Sequence, residues 1–384
     1  MLLIVSLVTL MLSVWTGLEL ARGNRSIKAL KDLPPVASAP PPIPTFVSVI
    51  IPARNEASSI RAALTSVLNQ DYPNYEVIVL DDRSEDRTGV IIDELAKTAP
   101  TLHVLHIAAL PDGWLGKNYA LYVGTTRAKG SVYLFADADV SLERSALSRA
   151  VRALDDARLD HLTVLPQLRI PSVAFELFVT GFTVLFFLFF KPWNARDPDS
   201  PSSIGIGAFN LIRAEAYRTI GTHRAIAMRP DDDMKLGKLV KQAGLRQDVF
   251  LGLEMVSLQW YASVRDMVHG LTKNSFAGMN YSVARVMAAI TGEFVWHLWP
   301  FLALVLTRGV VQLCNGVIVA TLLFTGWDQA RRHHVRPWCG IGYPFASLLL
   351  SYILVRSMVT TLMQGGIVWR GTRYDLERLK ANRM

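Results

Sequence analysis

Cysteine and charged residues are both scarce in this chain of 384 residues. Only Cys314 and Cys339 occur, and neither belongs to a CxxC motif or a His/Cys cluster, so a disulfide framework, structural zinc and haem attachment are excluded. Charged residues make up 19% of the chain, against about 25% in ordinary soluble domains, and hydrophobic residues reach 51%. With a mean hydropathy of +0.27, the composition argues against a disordered or purely soluble chain.

The chain lacks a nucleic-acid-binding motif although it is basic. Lys and Arg number 40 against 32 Asp and Glu, which gives a formal charge of +8 at pH 7. The basic residues flank long apolar runs, an arrangement that places Lys and Arg beside anionic lipid head groups. We therefore expect a membrane as partner and no nucleic acid.

The N-terminus begins with an apolar run. Residues 2–18 carry no charge for 17 positions, near the lower limit for a helix that crosses a bilayer of about 30 Å. A cleaved secretory signal is the alternative, but basic residues follow the run rather than precede it, and the nearest Ala-x-Ala site is at 37–39. The pattern favours an uncleaved anchor over 1–20, with the next segment in the cytoplasm. Residues 21–45 are basic and, from residue 34, rich in proline, which predicts an extended linker.

The last third of the chain is again apolar. Four uncharged runs occur there, at 294–307, 309–327, 338–355 and 357–369. The middle two are 19 and 18 positions long, whereas each flanking run could complete a hairpin or lie in the membrane interface. We expect a C-terminal membrane region over 294–369 and a basic, cytoplasmic tail over 370–384.

The basic loop 328–337 should also lie in the cytoplasm, which requires an even number of crossings around it. A separate apolar run, residues 177–190, is only 14 positions long. It predicts an interfacial or buried helix rather than a membrane span.

Residues 46–293 have the composition of a globular domain. Four short runs rich in β-branched or aromatic residues predict strands, at 46–51, 75–80, 102–107 and 131–136. Helical patterns at 56–69 and 86–98 separate the first three, and Ser84 and Asp86 offer N-cap chemistry to the second helix. This alternation predicts a parallel sheet with ligands bound beyond the carboxyl ends of its strands.

Polar clusters follow three of the predicted strands. Pro52, Asn55 and Glu56 follow the first strand, Asp81 and Asp82 the second, and Asp137 and Asp139 the fourth. Any one cluster could instead cap a helix or remain solvated, but three in register indicate a site.

The pair Asp137 and Asp139 has a specific chemical use. In an extended segment residues i and i+2 point to the same side, so both carboxylates could face one Mg²⁺ or Mn²⁺ that also binds phosphate oxygens. Such a metal would offset the charge that develops on a leaving diphosphate. The tripeptide is common, so it is weak evidence when taken alone.

Several blocks of the sequence resemble the inverting family-two glycosyltransferases, which have a GT-A fold. They are VSVIIPARNEASSI, EVIVLDDRSEDRT, WLGKNYAL, YLFADADV, GIGAFNLIRAEAYRTIGTH and PDDDMKLGKLVKQAG, in the family's order over roughly 46–250. The segment from Gly113 to Lys117 and the tail WRGTRY are similar to the membrane-anchored, ceramide-glucosyltransferase-like members, including those of hopanoid and carotenoid pathways. The resemblance implies a Rossmann-like mixed α/β sheet with membrane helices at both ends. It also implies a donor half over 46–145 and an acceptor half over 146–293.

The resemblance implies roles for the polar residues. The loop that lines the nucleotide matches Pro52, Asn55 and Glu56, and the contact to the base matches Asp82 or its neighbour Asp81. The donor-diphosphate and metal pair matches Asp137 and Asp139, with Asp139 the direct ligand. A basic donor contact matches Lys117. An ammonium group near a diphosphate is chemically sensible. A surface lysine at a helix start is the alternative for Lys117. Trp114 could stack on a ring, but packing is the preferred interpretation.

An inverting transfer needs a general base for the acceptor hydroxyl. The run Asp231, Asp232 and Asp233 offers three carboxylates. Alignment with the family's acidic pair implies Asp233 as the base, with Asp232 in the place of the usual preceding glutamate. Crowded carboxylates raise one another's pKa, which suits a base near neutral pH, whereas Asp231 could simply complement a helix dipole.

The chain lacks the Gln/Arg-x-x-Arg-Trp box of processive synthases and ceramide transferases. Only Gln259 and Trp260 stand in that region, as candidates for an acceptor-side role. The leading hypothesis is a multi-pass cell-membrane enzyme, with its catalytic domain in the cytoplasm, that moves a sugar from a nucleotide sugar, expected to be a UDP-sugar, to a hopanoid-, carotenoid- or ceramide-like lipid. A processive polysaccharide synthase and a catalytically silent nucleotide-sugar-binding scaffold are the alternatives.

Overall fold

The computed structural model describes residues 1–34 and 45–382. Apart from Pro34, the predicted proline-rich spacer therefore lies outside the described residues. The chain divides into two compact units. The sheet unit comprises Ile27–Arg169 and Pro192–Gln259, and the helical unit comprises Met1–Ser26, Ile170–Lys191 and Trp260–Met384. The domain boundaries given above stay predictions.

The sheet unit contains an eight-stranded mixed sheet, as the resemblance implied. Its strands are β1 (Val47–Ala53), β2 (Tyr75–Asp82), β3 (Leu102–Ile107), β4 (Val132–Phe135), β5 (Ser141–Leu142), β6 (His161–Leu168), β7 (Asn210–Arg213) and β8 (Gln247–Leu258). Their order is β3-β2-β1-β4-β7-β6-β8-β5. Strands β1 to β4 pair in parallel, whereas β7 is antiparallel to both β4 and β6. The four strands predicted from the sequence are confirmed as β1 to β4.

Strand register brings the predicted polar clusters to one edge of the sheet. All of β1 is buried, as a continuous hydrophobic run predicts for a central parallel strand. Ala53 at the end of β1 pairs with Asp81 of β2, and Ile50 of β1 pairs with Phe135 at the end of β4. The loops that follow these three parallel strands therefore begin side by side.

The described residues form fourteen α-helices. Those of the sheet unit are α2 (Ile60–Leu68), α3 (Thr88–Ala96), α4 (Gly116–Arg127), α5 (Ala146–Asp156), α7 (Ala214–Thr219) and α8 (Asp232–Gln242). Those of the helical unit are α1 (Leu2–Ser26), α6 (Val173–Phe190), α9 (Val264–Gly278), α10 (Val283–Glu293), α11 (Trp299–Leu306), α12 (Val310–Arg332), α13 (Tyr343–Gln364) and α14 (Leu376–Ala381). The two helices predicted between the first strands are confirmed as α2 and α3.

Five helical segments of the described residues are long and apolar enough to cross a membrane: Leu2–Ser26, Val173–Asn194, Val283–Leu306, Val310–Arg332 and Pro337–Gln364. The run 294–307 is therefore not isolated, because its helix begins at Val283. The runs 338–355 and 357–369 are not separate either, because α13 continues through Arg356, which donates to Tyr352 Oη at 3.1 Å. The run 177–190 lies in a segment of 22 residues, so length no longer argues against a span.

Helix α1 has the inverse of a soluble amphipathic pattern. Its buried positions include Ser6, Ser13 and Asn24, whereas most of its large apolar side chains are exposed. Asn24 Nδ2 donates to Gln329 Oε1 of α12 at 2.8 Å. Outward apolar side chains and inward polar pairs are typical of helices that pack together in lipid.

The C-terminal segment is ordered. The strands β9 (Gly366–Trp369) and β10 (Thr372–Asp375) form an antiparallel hairpin, and α14 follows them. The motif WRGTRY thus spans the hairpin turn.

Candidate active site

The loops after β1 and β2 are tied together by hydrogen bonds. Asn55 adopts a positive φ of 55°, a conformation that asparagine tolerates better than most residues. Its main-chain N–H donates to Ser84 Oγ at 3.1 Å, and its Oδ1 accepts from the Glu85 amide at 2.8 Å. The Glu56 amide donates to Thr88 Oγ1 at 2.8 Å. Asn55 and Glu56 therefore shape the rim of the strand edge.

Asp81 and Asp82 are neighbours in a strand, so their side chains face opposite sides. Asp81 lies 3.0 Å from His106 Nδ1, and this hydrogen bond raises the pKa of His106. Asp82 accepts from Arg83 Nε at 2.7 Å and faces the start of α4. A Cβ on Gly116 would lie only 2.3 Å from Asp82 Oδ2. Of the two candidates, Asp82 is the one beside the segment that carries Lys117.

Asp137 and Asp139 do not lie in an extended segment, and that expectation was wrong. Strand β4 ends at Phe135 and the chain turns towards β5, with the Val140 amide donating to the Asp137 carbonyl at 3.4 Å. Asp139 is half-buried, and this burial, with the negative charges of Asp137 and Glu56, raises its pKa to about 7. The two carboxylates thus still influence each other, although strand geometry does not align them.

Lys117 lies inside the site, which excludes the interpretation of a surface lysine. Its Nζ is 2.8 Å from Asp137 Oδ1 and 3.6 Å from Asp232 Oδ1. Burial by itself lowers the pKa of the ammonium group, but the attraction of Asp137, Asp232 and Asp233 outweighs it and raises the pKa above the ordinary value. Lys117 therefore remains charged at neutral pH.

The acidic run at the start of α8 divides into two parts. Asp231 pairs with the fully buried Arg229, with Nε and Nη2 each at 2.8 Å, so it serves the structure. Asp232 and Asp233 face Lys117. Burial raises the pKa of Asp232 to about 7 and also raises that of Asp233.

Asp233 is the more rigidly held of the pair. Its Oδ2 accepts from the Gly207 amide and its Oδ1 from the Met234 amide, both at 2.8 Å. Asp232, in contrast, contacts Lys117 Nζ at 3.6 Å, which is longer than either hydrogen bond of Asp233. Two fixed hydrogen bonds restrict the rotation of the Asp233 carboxylate and give it a defined direction.

A small cleft joins these groups. It is lined by Pro52, Lys117, Leu121, Phe135, Ala136, Asp137, Gly207, Asn210, His223, Asp232, Asp233 and Leu236. Five residues singled out from the sequence are in this set: Pro52, Lys117, Asp137, Asp232 and Asp233. The remaining ones, Asn55, Glu56, Asp81, Asp82, Asp139, Gln259 and Trp260, are not.

Gly207, Asn210 and His223 were not recognised as site residues. They belong to the block GIGAFNLIRAEAYRTIGTH, which carried the family resemblance without a role for any residue. A Cβ on Gly207 would lie 2.7 Å from Asp137 Oδ2, so the Asp137 carboxylate would have to move. In the sequence, the two glycines of GIG (205–207) are the feature that could have predicted a close approach of the main chain to neighbouring groups.

The protein side chains of this site are too few to hold a divalent metal without additional ligand atoms from a bound substrate. Among residues 1–34 and 45–382 no three His, Cys, Asp or Glu side chains converge to form a metal site. Asp139 nevertheless lies in an acidic environment that raises its pKa, and a cation would relieve that repulsion. Asp139 and Asp137 are thus suitable as part of a ligand set completed by phosphate oxygens.

The remaining candidates are not among the residues that line the cleft. Gln259 is exposed at the end of the sheet unit. Trp260 belongs to the helical unit, where its ring lies 4.8 Å from that of Phe182 and 6.4 Å from that of Phe175. Trp114 packs on Tyr122 at 5.1 Å, in agreement with the packing interpretation. The acceptor-side role of Gln259 and Trp260 stays a prediction.

Comparisons with known proteins agree with this geometry. Residues 48–221 match the family model described as glycosyl transferase family 2. The chain is 24% identical over 339 residues to 4,4'-diaponeurosporenoate glycosyltransferase of Staphylococcus aureus (strain MRSA252), covering 86% of this chain and 89% of the relative.

A solved structure shows the same fold. It is mannosyltransferase PcManGT from Pyrobaculum calidifontis in complex with GDP-Man and Mn²⁺, with a TM-score of 0.56 and 18% identity over 95% of this chain and 99% of that one. The GT-A fold that the resemblance implied is thereby confirmed. Residues 48–221 form a glycosyl transferase family 2 domain, and the similarity to a glycosyltransferase extends over 86% of the chain.

Proposed function

We propose that this protein transfers a sugar from a nucleoside-diphosphate sugar, expected to be a UDP-sugar, to a hydroxyl group of a membrane lipid, with inversion at the anomeric carbon. The observation that carries the proposal is the cleft that brings Lys117, Asp137, Asp232 and Asp233 together beyond the ends of the parallel strands. Lys117 can contact the diphosphate, and one of the three carboxylates beside it can act as the base.

The donor half of the proposal assigns the diphosphate to Lys117 and the Asp137–Asp139 turn. A charged ammonium group can form charge-assisted hydrogen bonds with phosphate oxygens. Asp139 and Asp137 would hold Mg²⁺ or Mn²⁺, which would offset the negative charge on the departing diphosphate. The adjoining loop is shaped by Pro52, Asn55 and Glu56. Asp82 faces the start of α4, the segment that carries Lys117, and this position suits a contact to the nucleoside.

The acceptor half of the proposal assigns the general base to Asp233. Its carboxylate takes the proton of the acceptor hydroxyl while that oxygen bonds to the anomeric carbon and the bond from that carbon to the diphosphate breaks. The products are the glycosylated acceptor, a nucleoside diphosphate and a protonated carboxyl group. The raised pKa of Asp233 makes it a stronger base than an exposed aspartate.

A lipid acceptor suits the rest of the chain. Five segments could cross a membrane, and the polar pairs of α1 and α12 suit packing in lipid. The Staphylococcus aureus relative is named for 4,4'-diaponeurosporenoate, a carotenoid-type lipid. A carotenoid-, hopanoid- or ceramide-like acceptor in the cell membrane, with the sheet unit in the cytoplasm, is consistent with these observations.

The test uses membranes that contain the full chain, a panel of labelled UDP- and GDP-sugars, and Mg²⁺ or Mn²⁺. We expect one donor to label a single-sugar lipid product, whose linkage has the anomeric configuration opposite to that of the donor. Asp233→Asn and Asp139→Asn should abolish labelling, whereas Asp156→Asn, at a side chain 71% exposed, makes the same chemical change outside the site and should not.

Three outcomes would contradict the proposal. Products longer than one sugar would favour a processive synthase. Nucleotide-sugar binding without any transfer would favour a silent scaffold. Retention of the donor's anomeric configuration would exclude the assigned mechanism.

A further inference from the structure

Two polar side chains of the cleft have no role in the mechanism above. Asn210, at the start of β7, is 2% exposed, and His223 is 1% exposed. Both line the same cleft as Lys117 and Asp233. Asn210 Nδ2 and His223 Nε2 are not among the fully buried polar atoms that lack a partner, so both remain accessible to a ligand in the cleft.

One end of the Asn210 amide is held by the protein. His161, which is fully buried, places Nε2 2.8 Å from Asn210 Oδ1. The Oδ1 accepts, so the Nε2 atom carries the proton, and the Asn210 NH₂ group remains. Within the described part of the chain this NH₂ group makes no hydrogen bond. His161 thereby orients Asn210 as a donor.

His223 is held in a comparable way. Tyr217 Oη accepts from the His223 main-chain N–H at 2.9 Å and lies 2.7 Å from its Nδ1. The hydroxyl proton is then directed to Nδ1, which leaves the proton of the neutral ring on Nε2. Burial and the nearby charge of Lys117 lower the pKa of His223 to about 3, so the ring is neutral at physiological pH. In the described residues Nε2 has no partner.

The cleft needs these donors. Of its twelve lining residues, Lys117, Asn210 and His223 have side chains with N–H donors. Lys117 is paired with Asp137 at 2.8 Å, and its remaining N–H donors are assigned to the diphosphate in the proposed function. The three aspartates, when ionised, only accept hydrogen bonds. A sugar hydroxyl both donates and accepts hydrogen bonds. The carboxylates of the cleft can accept from its O–H group, but its oxygen still needs an N–H donor.

We infer that Asn210 and His223 donate hydrogen bonds to a hydroxyl oxygen of the transferred sugar and so help to select the donor. His161 and Tyr217 act as positioning residues for this pair. Neutral donors suit a neutral hydroxyl, whereas the diphosphate is assigned to Lys117. This inference rests on the proposed function, since it names the sugar that the same site would hold.

The test measures equilibrium binding to the full-length protein in nanodiscs, without acceptor. The probes are UDP and UDP-hexoses, with GDP and GDP-hexoses in parallel. Asn210→Leu and His223→Leu should each weaken binding of the preferred nucleotide sugar about tenfold and leave the matching nucleoside diphosphate unchanged, because one hydrogen bond to the sugar is lost. His223→Gln, which keeps an N–H donor at a similar reach, should restore part of the affinity.

Donor analogues that lack one hydroxyl identify the group that is bound. One deoxy-sugar should bind the wild-type protein about tenfold more weakly, with no further loss in His223→Leu or Asn210→Leu. Equal weakening of the nucleoside diphosphate and the nucleotide sugar would overturn the inference. Unchanged sugar binding with a raised KM for the lipid would assign the hydroxyl to the acceptor and also overturn it.

If a leucine variant does not fold, as judged by its melting temperature, the deoxy-sugar series on the wild-type protein decides alone, and no affected hydroxyl means that the inference is wrong. If neither nucleoside diphosphates nor nucleotide sugars bind the wild-type protein, the proposed function itself fails.

Discussion

The main-chain amide of Gly207 donates to Asp233 Oδ2 at 2.8 Å. The carbonyl of the same residue accepts from the Asp137 amide at 3.1 Å. One residue therefore links the candidate base to the turn that carries the candidate metal and diphosphate ligands. The distance between these groups is set by main-chain atoms and not by flexible side chains.

The Asp233 carboxylate should determine the acid limb of the pH profile. A base acts when deprotonated and the pKa of Asp233 is raised, so kcat/KM should fall about tenfold per pH unit below that pKa. Asp232→Asn removes a neighbouring negative charge and should move the limb to lower pH. Asp233→Asn should cost about 10²- to 10⁴-fold in kcat. If Asp232→Asn has the larger effect on kcat, the base is Asp232.

The replacement Gly207→Ala should disturb the donor site. Its Cβ would lie 2.7 Å from Asp137 Oδ2 and 3.3 Å from Lys117 Nζ, so both groups must shift. We expect weaker binding of the nucleotide sugar, measured by titration calorimetry. Gly244→Ala is a control for the glycine change itself, since its site has no heavy atom within 4 Å of the added Cβ, although its φ of +69° carries a strain of its own. Unchanged donor affinity in Gly207→Ala would show that the Lys117–Asp137 contact is dispensable.

Asp231 should matter for stability and not for chemistry. It binds the fully buried Arg229 through two hydrogen bonds of 2.8 Å. Asp231→Ala removes that bidentate partner and should lower the free energy of unfolding by about 3–5 kcal/mol. The measurement is denaturant unfolding of the purified protein. Asp233→Asn, measured alongside, should lose activity with a smaller loss of stability.

Asp82 and Asp81 should differ in their effect on the nucleoside. Asp82 faces the start of α4, whereas Asp81 is held by His106. Asp82→Asn should therefore weaken UDP or GDP binding more than Asp81→Asn does. Nucleoside diphosphate titrations at pH 8, where His106 carries less charge, decide the order. A larger loss in Asp81→Asn would reverse the assignment.

The N-terminal helix should remain in the mature protein. Asn24 and Gln329 are 0% and 1% exposed and share a hydrogen bond of 2.8 Å. Removing one partner, as in Asn24→Leu, should destabilise the helical unit by about 1 kcal/mol, while Asn24→Leu with Gln329→Leu should recover part of that loss. Melting temperatures in detergent test this. An N-terminal tag that is absent from the membrane-bound protein would instead indicate a cleaved signal.

Local sequence patterns were sufficient to predict the strands β1 to β4 and the polar residues at their ends. Period and composition are local properties, so the runs near Val49 and Val79 predicted their elements directly. The sequence also identified Lys117, Asp137 and Asp233 as candidates, because their motifs retain the order of a known family. The extents of the apolar helices were less well predicted, since a charge such as Arg356 does not end a helix that it can remain within.

Which of these residues come into contact depends on how the chain packs. The antiparallel strand β7 lies between β4 and β6 and brings Asn210, with Gly207 just before it, to the cleft that His223 also lines. Long-range pairing of this kind leaves no periodic signal in the sequence. The sequence also does not show which charges will meet. Asp231 and Asp232 are adjacent and chemically identical, yet the fully buried Arg229 binds Asp231, whereas the half-buried Lys117 faces Asp232. Roles that depend on burial and on partners far along the chain are fixed by packing, not by residue type.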